Sequence, residues 1–507
     1  MKFKRGFYNI VFGFSTQIII LALGIIVPRL ILVGYGSETN GLLNTVTQIY
    51  SYVALLEAGI GTATIQALYG PITKNDKNKI SGILVATRMY YRKITFFYGV
   101  CVIVLSIIAP FVISSSLDRK IISLVVLFNG LAGVISFYYV ATFKQLLIAE
   151  GKNYITSNIT FIVQVCSYIA KITLANLQVN VVYLQLSYLL INVMQVIIYK
   201  VYFDRNYKWI DYSAKPNNHA LKQKNAFLVH EVTLTVFNST DTIVLSTMCG
   251  LTTASIYAVY NLVFSGLQTL ISTLFNSIKF SLGQTYHEDR KKYISLNDAF
   301  DSFYLVFVFS LISVCYILIL PFISLYTKGV SDANYIDDKL PMLFCMIQLL
   351  SASRAVSSNL INVAQHAKQT MWRSILEAAI NIVVSVILVG KVGIYGVLLG
   401  TIVALLYRTN DMVIYANTKI LNRLPIRTYL TLAVNFAMFF FIMIFNNLIE
   451  IKIQNYIVFV GYGVILTIIM FLIYMTVNVV TNSSCRYYTM VLINRISGRN
   501  ERRRHKS

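Results

Sequence analysis

Fourteen stretches of this chain are apolar for long enough to cross a bilayer, and that pattern restricts its fold more than any other feature. A spanning helix needs about 20 mainly apolar residues. Six such runs lie before a polar segment, at 8–33, 42–69, 94–113, 121–143, 155–176 and 181–203. Six follow it, at 226–249, 254–278, 299–326, 340–365, 374–390 and 393–417, and two more lie at 428–449 and 455–480. The runs are continuous, unlike the alternating segments of about ten residues that build a membrane barrel, so only helices can satisfy the backbone in hydrocarbon. The expectation is an all-α membrane protein of about fourteen transmembrane helices.

The charges say which way these helices run. The chain is 57% hydrophobic and only 12% charged, where a soluble domain carries about 25%, yet its formal net charge is +23. With the N-terminus in the cytoplasm and strict alternation, 34 of the 43 Lys and Arg residues fall in cytoplasmic segments and six in outer ones. That asymmetry is a strong positive-inside pattern, and it puts both termini in the cytoplasm. The N-terminus imitates a signal peptide, but its apolar run is too long and lacks a small-residue cleavage site, so it reads as a retained first span. The polybasic tail (Arg499, Arg502, Arg503, Arg504, Lys506) is explained by anionic lipid, at about 1 kcal/mol per residue, without nucleic acid.

The organisation expected is an N-terminal six-helix lobe (1–203), a cytoplasmic linker (204–224), a C-terminal six-helix lobe (225–420), two peripheral helices (421–482) and a basic cytoplasmic tail (483–507). Six spans per lobe is an even number, so the lobes enter the membrane in the same orientation and can be parallel repeats. The turn at 34–41 after the first span is echoed at 250–257 after the seventh.

With Lys200 and Arg408, towards the cytoplasmic ends of 181–203 and 393–417, and Arg373, just before 374–390, counted in the cytoplasmic segments, three basic residues remain inside spans: Arg29, Lys171 and Arg354. Each costs about 2.5–3.5 kcal/mol at a helix centre and therefore faces a cavity or a partner. Guanidinium forks suit phosphate oxygens and Lys supplies a compact charge, so these three are the candidate substrate-binding residues for an anionic headgroup. Snorkelling to lipid headgroups is the competing role for Arg29 and Lys171. Glu57, Glu231, Asp241, Glu377 and Asp411 are acidic residues in spans, able to exchange H⁺, bind Na⁺ or neutralise a basic neighbour. Asn44, Gln48 and Asn261, with Gln17, Asn238 and Asn276, can line the same cavity and meet sugar hydroxyls or bond helix to helix. No P-loop, HExxH, GxSxG or dinucleotide fingerprint occurs. The six cysteines are scattered, and Asp337-Asp338 has no companions. No cofactor, metal site or enzyme is expected.

Residues 28–42 (PRLILVGYGSETNGL) resemble the opening of polysaccharide flippases of the O-antigen and capsule type, and residues 55–63 (LLEAGIGTA) resemble that family's second span. Residues 238–245 (NSTDTIVL) and 255–260 (SIYAVY) are similar to its seventh-to-eighth span segment, and 393–401 (GIYGVLLGT) to its twelfth. The wider group includes multidrug extruders and lipid II flippases. The resemblance implies two six-helix lobes around a V-shaped cavity, with spans thirteen and fourteen peripheral. It also implies a polyprenyl-pyrophosphate-linked oligosaccharide as substrate, moved outward for capsule, O-antigen or lipopolysaccharide assembly; coupling to H⁺ or Na⁺ is the expectation from the acidic residues in the spans. Family motifs carry over only Arg29, Glu57 and Asp241. Two rivals remain: a drug/cation antiporter of the same fold, which would want an acidic cavity, and a membrane polymerase or glycosyltransferase, which would need a large outer loop.

Overall fold

The computed structural model describes residues 2–57, 60–217, 235, 239–364, 366–446 and 453–496. Among these, every regular element is helical. Eleven helices are long and apolar enough to cross a membrane, and they fall one for one on the third to sixth and eighth to fourteenth expected spans. Of the other three, 8–33 and 42–69 lie on a helix, a 3-10 turn and a second helix, and 226–249 is described only at Thr235 and 239–249.

The chain packs as two compact units, one of residues 1–258 with 329–333, the other of 259–328 with 334–507. Unit one holds α1 (Lys2–Val53), a 3-10 turn (Ala54–Glu57), α2 (Ile60–Thr73), α3 (Lys77–Val112) and α4 (Arg119–Ile135). A π-turn (Ser136–Val140), α5 (Ala141–Ala149), α6 (Asn153–Asn176), α7 (Val181–Asn206) and α8 (239–248) come next. The first two expected spans are thus divided differently from their hydropathy. The turn expected at 34–41 is a break of a single residue: one helix ends and the next begins at Gly36 (φ 82°, ψ 174°), a non-helical conformation that glycine alone adopts freely, so α1 is two helices joined at a kink. Asp332 caps the restarted helix, accepting from the Ser37 amide at 2.7 Å and its hydroxyl at 2.8 Å.

The echoed turn packs directly on this kink. A Cβ on Gly41 would sit 2.0 Å from the Leu251 carbonyl oxygen, and Asn40 donates to Ser255 Oγ at 2.7 Å. Glycine is needed here for close backbone approach. Around it, Leu42, Val46, Tyr50, Val102, Val125 and Leu251 form a buried core. The expected linker docks on the same unit: the Asn217 amide donates to the Gly82 carbonyl at 3.0 Å, and Lys77 lies 5.7 Å from the Trp209 ring centroid.

Unit two takes in most of α9 (Leu251–Glu288), then α10 (Arg290–Tyr326), α11 (Leu340–Ser353), α12 (Ala355–Val363), α13 (Ala367–Val392) and α14 (Ile394–Tyr415). It ends with a π-turn (Ala416–Ile420), α15 (Ile426–Asn446), α16 (Tyr456–Thr481) and α17 (Ser483–Ile496). Helix α10 is central: 67% of its most apolar window is buried within the chain, against 0% for α16, which leaves that face of α16 for lipid. Polar pairs attach α15 and α16 to this core. Asn435 and Asn478 exchange amide bonds at 3.2 and 3.0 Å, and Tyr474 meets Ser313 at 2.9 Å. Hydrogen bonds of this kind hold helices together where lipid removes the hydrophobic drive.

One succession recurs in both units. Helix α4 is interrupted by a π-turn and resumes as the nine-residue α5, before α6 and α7. Helix α11 is interrupted at Arg354 and resumes as the nine-residue α12, before α13 and α14. A π-turn inserts one residue and so rotates the next helical segment by about 100°. Such interruptions decide which side chains meet in each unit.

Candidate functional site

In unit one, the break before α5 brings Lys144, Gln145 and Ile148 to a cavity of about 360 Å³ whose other wall includes Ser51, Glu57 and Thr62. Glu57 ends the 3-10 turn and accepts from the Tyr91 hydroxyl at 2.7 Å. Gln145 reaches the same hydroxyl at 3.4 Å. Gly61 makes room for this contact, since a Cβ there would lie 2.6 Å from Gln145 Nε2. The wall therefore offers a carboxylate, an ammonium, an amide and hydroxyls, a set that can bond polyhydroxyl groups without favouring either sign of charge.

The other predicted residues of unit one stand apart from this cavity. Arg29 is half-buried on α1, whose Val27 and Ile31 pack with Tyr168 and Ile172 of α6. Lys171 lies on that same α6, with its ammonium 5.3 Å from the Tyr188 ring centroid. Asp241 is buried and accepts from the Tyr257 hydroxyl at 3.1 Å. Asn44 donates to the Asn40 carbonyl at 2.8 Å, and Gln48 is half-buried one turn further along α1. Glu231 and Asn238 lie outside the described residues, as do the side chains of Gln17 and Asn276.

In unit two the structure builds a charged network. Arg354, at the α11–α12 interruption, donates to Glu377 of α13. The second oxygen of Glu377 lies 3.5 Å from Arg408 Nε of α14. Arg408 Nη1 meets Asp411 at 2.5 Å, and its Nη2 donates to Ser374 Oγ at 2.9 Å. Arg373 closes the chain on the other oxygen of Asp411. Arg354 and Arg408 each lie fourteen residues, about 21 Å of helix, beyond the first residue of their own span, Leu340 and Ile394. Three guanidiniums thus face two carboxylates, leaving one net positive charge among side chains that are three-quarters or more buried. Asn261, the remaining predicted residue, is half-buried on α9.

Of the predicted residues, then, Arg354, Glu377 and Asp411 are brought together in unit two through Arg408, while Glu57 lines the cavity of unit one. Sequence reasoning missed Arg408 and Arg373, which it assigned to cytoplasmic segments; Arg408 is only 2% exposed inside the span Ile394–Ile420. The signal that finds them is spacing: Arg373 and Glu377 are four apart, Arg408 and Asp411 three apart, so each pair shares one face of its helix. It also missed Lys144, counted in a cytoplasmic segment, and Gln145, past the expected end of the fourth span at 143; the helix continues to Ala149 after the π-turn and puts both on a cavity wall.

Outside the spans, Glu150, Lys152 and Tyr207 form a compact triad. Lys152 Nζ lies 2.7 Å from Glu150 and 3.0 Å from the Tyr207 hydroxyl, which itself donates to Glu150 at 2.5 Å. Partial burial disfavours the ammonium, but the bonds from Glu150 and Tyr207 outweigh it and raise the Lys152 pKa above its ordinary value. Burial, with the Glu150 bond, likewise raises that of Tyr207.

No protein-family model matches the sequence, and no curated protein matches it. Solved structures do. A lipid II flippase, MurJ, in an inward closed conformation superposes with a TM-score of 0.69 at 15% identity, covering 95% of this chain and 100% of that one. An inward-facing multidrug resistance MATE family transporter of the MOP superfamily gives 0.62 at 14% identity, covering 77% of this chain and 95% of that one. A MOP superfamily transporter from Pyrococcus furiosus, described by the reverse polarity of its binding pocket, gives 0.52 at 14% identity over 80% and 93%. The fold is that of the MATE and lipid II flippase transporters. It accounts for the all-helical architecture and for the eleven helices, among the described residues, that are long and apolar enough to span.

Proposed function

We propose that this protein is a flippase that moves polyprenyl-pyrophosphate-linked oligosaccharide repeat units across the bacterial cytoplasmic membrane, for a surface polysaccharide such as capsule, O-antigen or lipopolysaccharide. The observation that carries this reading is the unit-two network, in which guanidiniums outnumber carboxylates at one level inside the membrane-spanning helices. A pyrophosphate cannot enter hydrocarbon unaided, because burying its charge is too costly. Arginine forks replace its hydration with charge-assisted, bidentate bonds. Arg354, released from Glu377, is the side chain best able to offer such a fork, with Arg29 and Lys171 adding positive charge on the first lobe. The balanced polar wall around Glu57 suits the sugar hydroxyls.

The reading includes both termini in the cytoplasm, two six-helix lobes that alternate access by rocking, and coupling to an H⁺ or Na⁺ gradient through a carboxylate such as Glu377, Glu57, Glu231 or Asp241. Against the drug/cation antiporter, the sign of the network is wrong for a cation. The lipid II flippase also matches more of this chain than the drug transporter does.

The test is deletion of the gene in its host, with complementation by wild type and by Arg354→Gln. Deletion should cause a polyprenyl-linked oligosaccharide to accumulate, and Arg354→Gln should insert normally yet fail to relieve it. Full restoration of surface polymer by Arg354→Gln would refute the role of Arg354. Ethidium sensitivity without lipid accumulation would favour the antiporter.

A further inference from the structure

A second cavity, of about 480 Å³, opens where α15 begins and α16 ends. Its wall combines three kinds of group. Arg427 donates from Nη1 to Asp298 at 2.8 Å and keeps half of its side chain exposed. Thr481 and Ser483 supply hydroxyls from the α16–α17 junction. Leu424, Ile426 and Leu430 form an apolar rim that is 70%, 58% and 62% exposed.

Asp298 is held by both forks of Arg423, at 2.8 and 2.5 Å, before Arg427 adds its own bond. Asp301, further along α10, is a second carboxylate in the field of Asp298 and Arg423, so these two acids balance Arg423 and Arg427, and the half-exposed Arg427 keeps N–H groups for a further acceptor. Arg486, in the first turn of α17, adds another cation. From residue 412 to residue 500 the sequence holds seven Lys and Arg against a single acidic residue, Glu450. A cation, hydroxyls and bare aliphatic side chains side by side, at the end of two lipid-facing helices, match a phosphate, a glycerol headgroup and acyl chains in turn. The volume lies within the range of about 300–1,000 Å³ typical of small-ligand pockets.

We infer that this corner is a binding site for a resident anionic glycerophospholipid, with Arg427 on the phosphate, Thr481 and Ser483 on the headgroup, and Leu424, Ile426 and Leu430 along the acyl chain. Helices α15 and α16 join the unit-two core through Asn435, Asn478 and Tyr474, while the ion pairs of the Arg354 network run between α11, α13 and α14; we take the site to be distinct from that of the transported substrate. Bound there, the lipid fixes the angle at which α15 leaves the α14–α15 loop.

The experiment uses the full chain purified into nanodiscs of equimolar phosphatidylcholine and phosphatidylglycerol, then released into detergent for native mass spectrometry. The wild type should retain phosphatidylglycerol in preference to phosphatidylcholine. Arg427→Gln should retain roughly tenfold less, the size of one charge-assisted hydrogen bond. Ser483→Trp, which fills the cavity and leaves the Asp298 pairs intact, should do the same and decides the matter if Arg427→Gln does not fold. Lys208→Gln, on an exposed residue of unit one, should behave as wild type. Equal retention by all variants overturns the proposal, as does displacement of the lipid by inorganic phosphate alone. Displacement by polyprenyl phosphate in preference to phosphatidylglycerol overturns it in favour of a substrate site.

Discussion

Removing the Glu377 carboxylate tests whether the unit-two network is electrostatically coupled as its geometry states. Glu377 joins Arg354 to Arg408, and the three side chains are 7%, 17% and 3% exposed. Glu377→Gln keeps the shape but changes the local balance from three cations and two anions to three and one. Breaking a buried pair by deleting one partner costs about 3–5 kcal/mol, because the remaining charge stays buried. Adding Arg354→Met restores the original net charge, so the double variant should recover about 1–3 kcal/mol of that loss, the range for residues in direct contact. The assay is thermal unfolding of purified single and double variants in one detergent, arranged as a double-mutant cycle. Additive effects, or a Glu377→Gln variant as stable as wild type, would show that the network is not coupled.

Three other outcomes rest on particular contacts. Gly41→Ala should destabilise unit one by about 1–3 kcal/mol or more, because the new methyl meets the Leu251 carbonyl at 2.0 Å, whereas Gly34→Ala, with nothing within 4 Å, should unfold as wild type does. Glu57→Gln should leave the melting temperature in place while cutting transport by roughly tenfold or more, the worth of a charged hydrogen bond; unchanged transport would remove Glu57 from the site. The Lys152 and Tyr207 pKa values are both raised in the folded chain, so their contribution is complete below the ordinary values of about 10 and is lost as pH rises through the raised ones. The contribution of this pair should therefore be lost on the alkaline side, and Lys152→Met should reduce the alkaline fall in thermal stability.

The sequence makes the helical architecture legible because hydropathy in a bilayer leaves one solution. Eleven of the fourteen expected spans coincide with described helices. What hydropathy does not reveal is how short a connection can be. The polar run at 34–41 marks a real break, but Gly36 alone makes it, and the cap from Asp332 restarts the helix at Ser37. The candidate site was half legible. Arg354 and Glu377 stand out as charges in apolar runs, and they pair. Arg408 and Arg373 were hidden because polar neighbours placed them at a span's end, where a basic residue ordinarily sets topology. Only the packing of α13 on α14 shows them turned inward to Glu377 and Asp411. Lys144 and Gln145 were hidden for another reason: the π-turn before them changes which face they occupy, and no periodicity rule anticipates an inserted residue.

The central claim is outward movement of a pyrophosphate-linked oligosaccharide, and the most direct measurement is flipping by the purified chain. Proteoliposomes loaded with a fluorescent polyprenyl-pyrophosphate oligosaccharide would be followed by a membrane-impermeant quencher. Wild type should render the inner-leaflet pool accessible, and Arg354→Gln should not. Equal accessibility in wild-type, Arg354→Gln and protein-free vesicles would contradict the account.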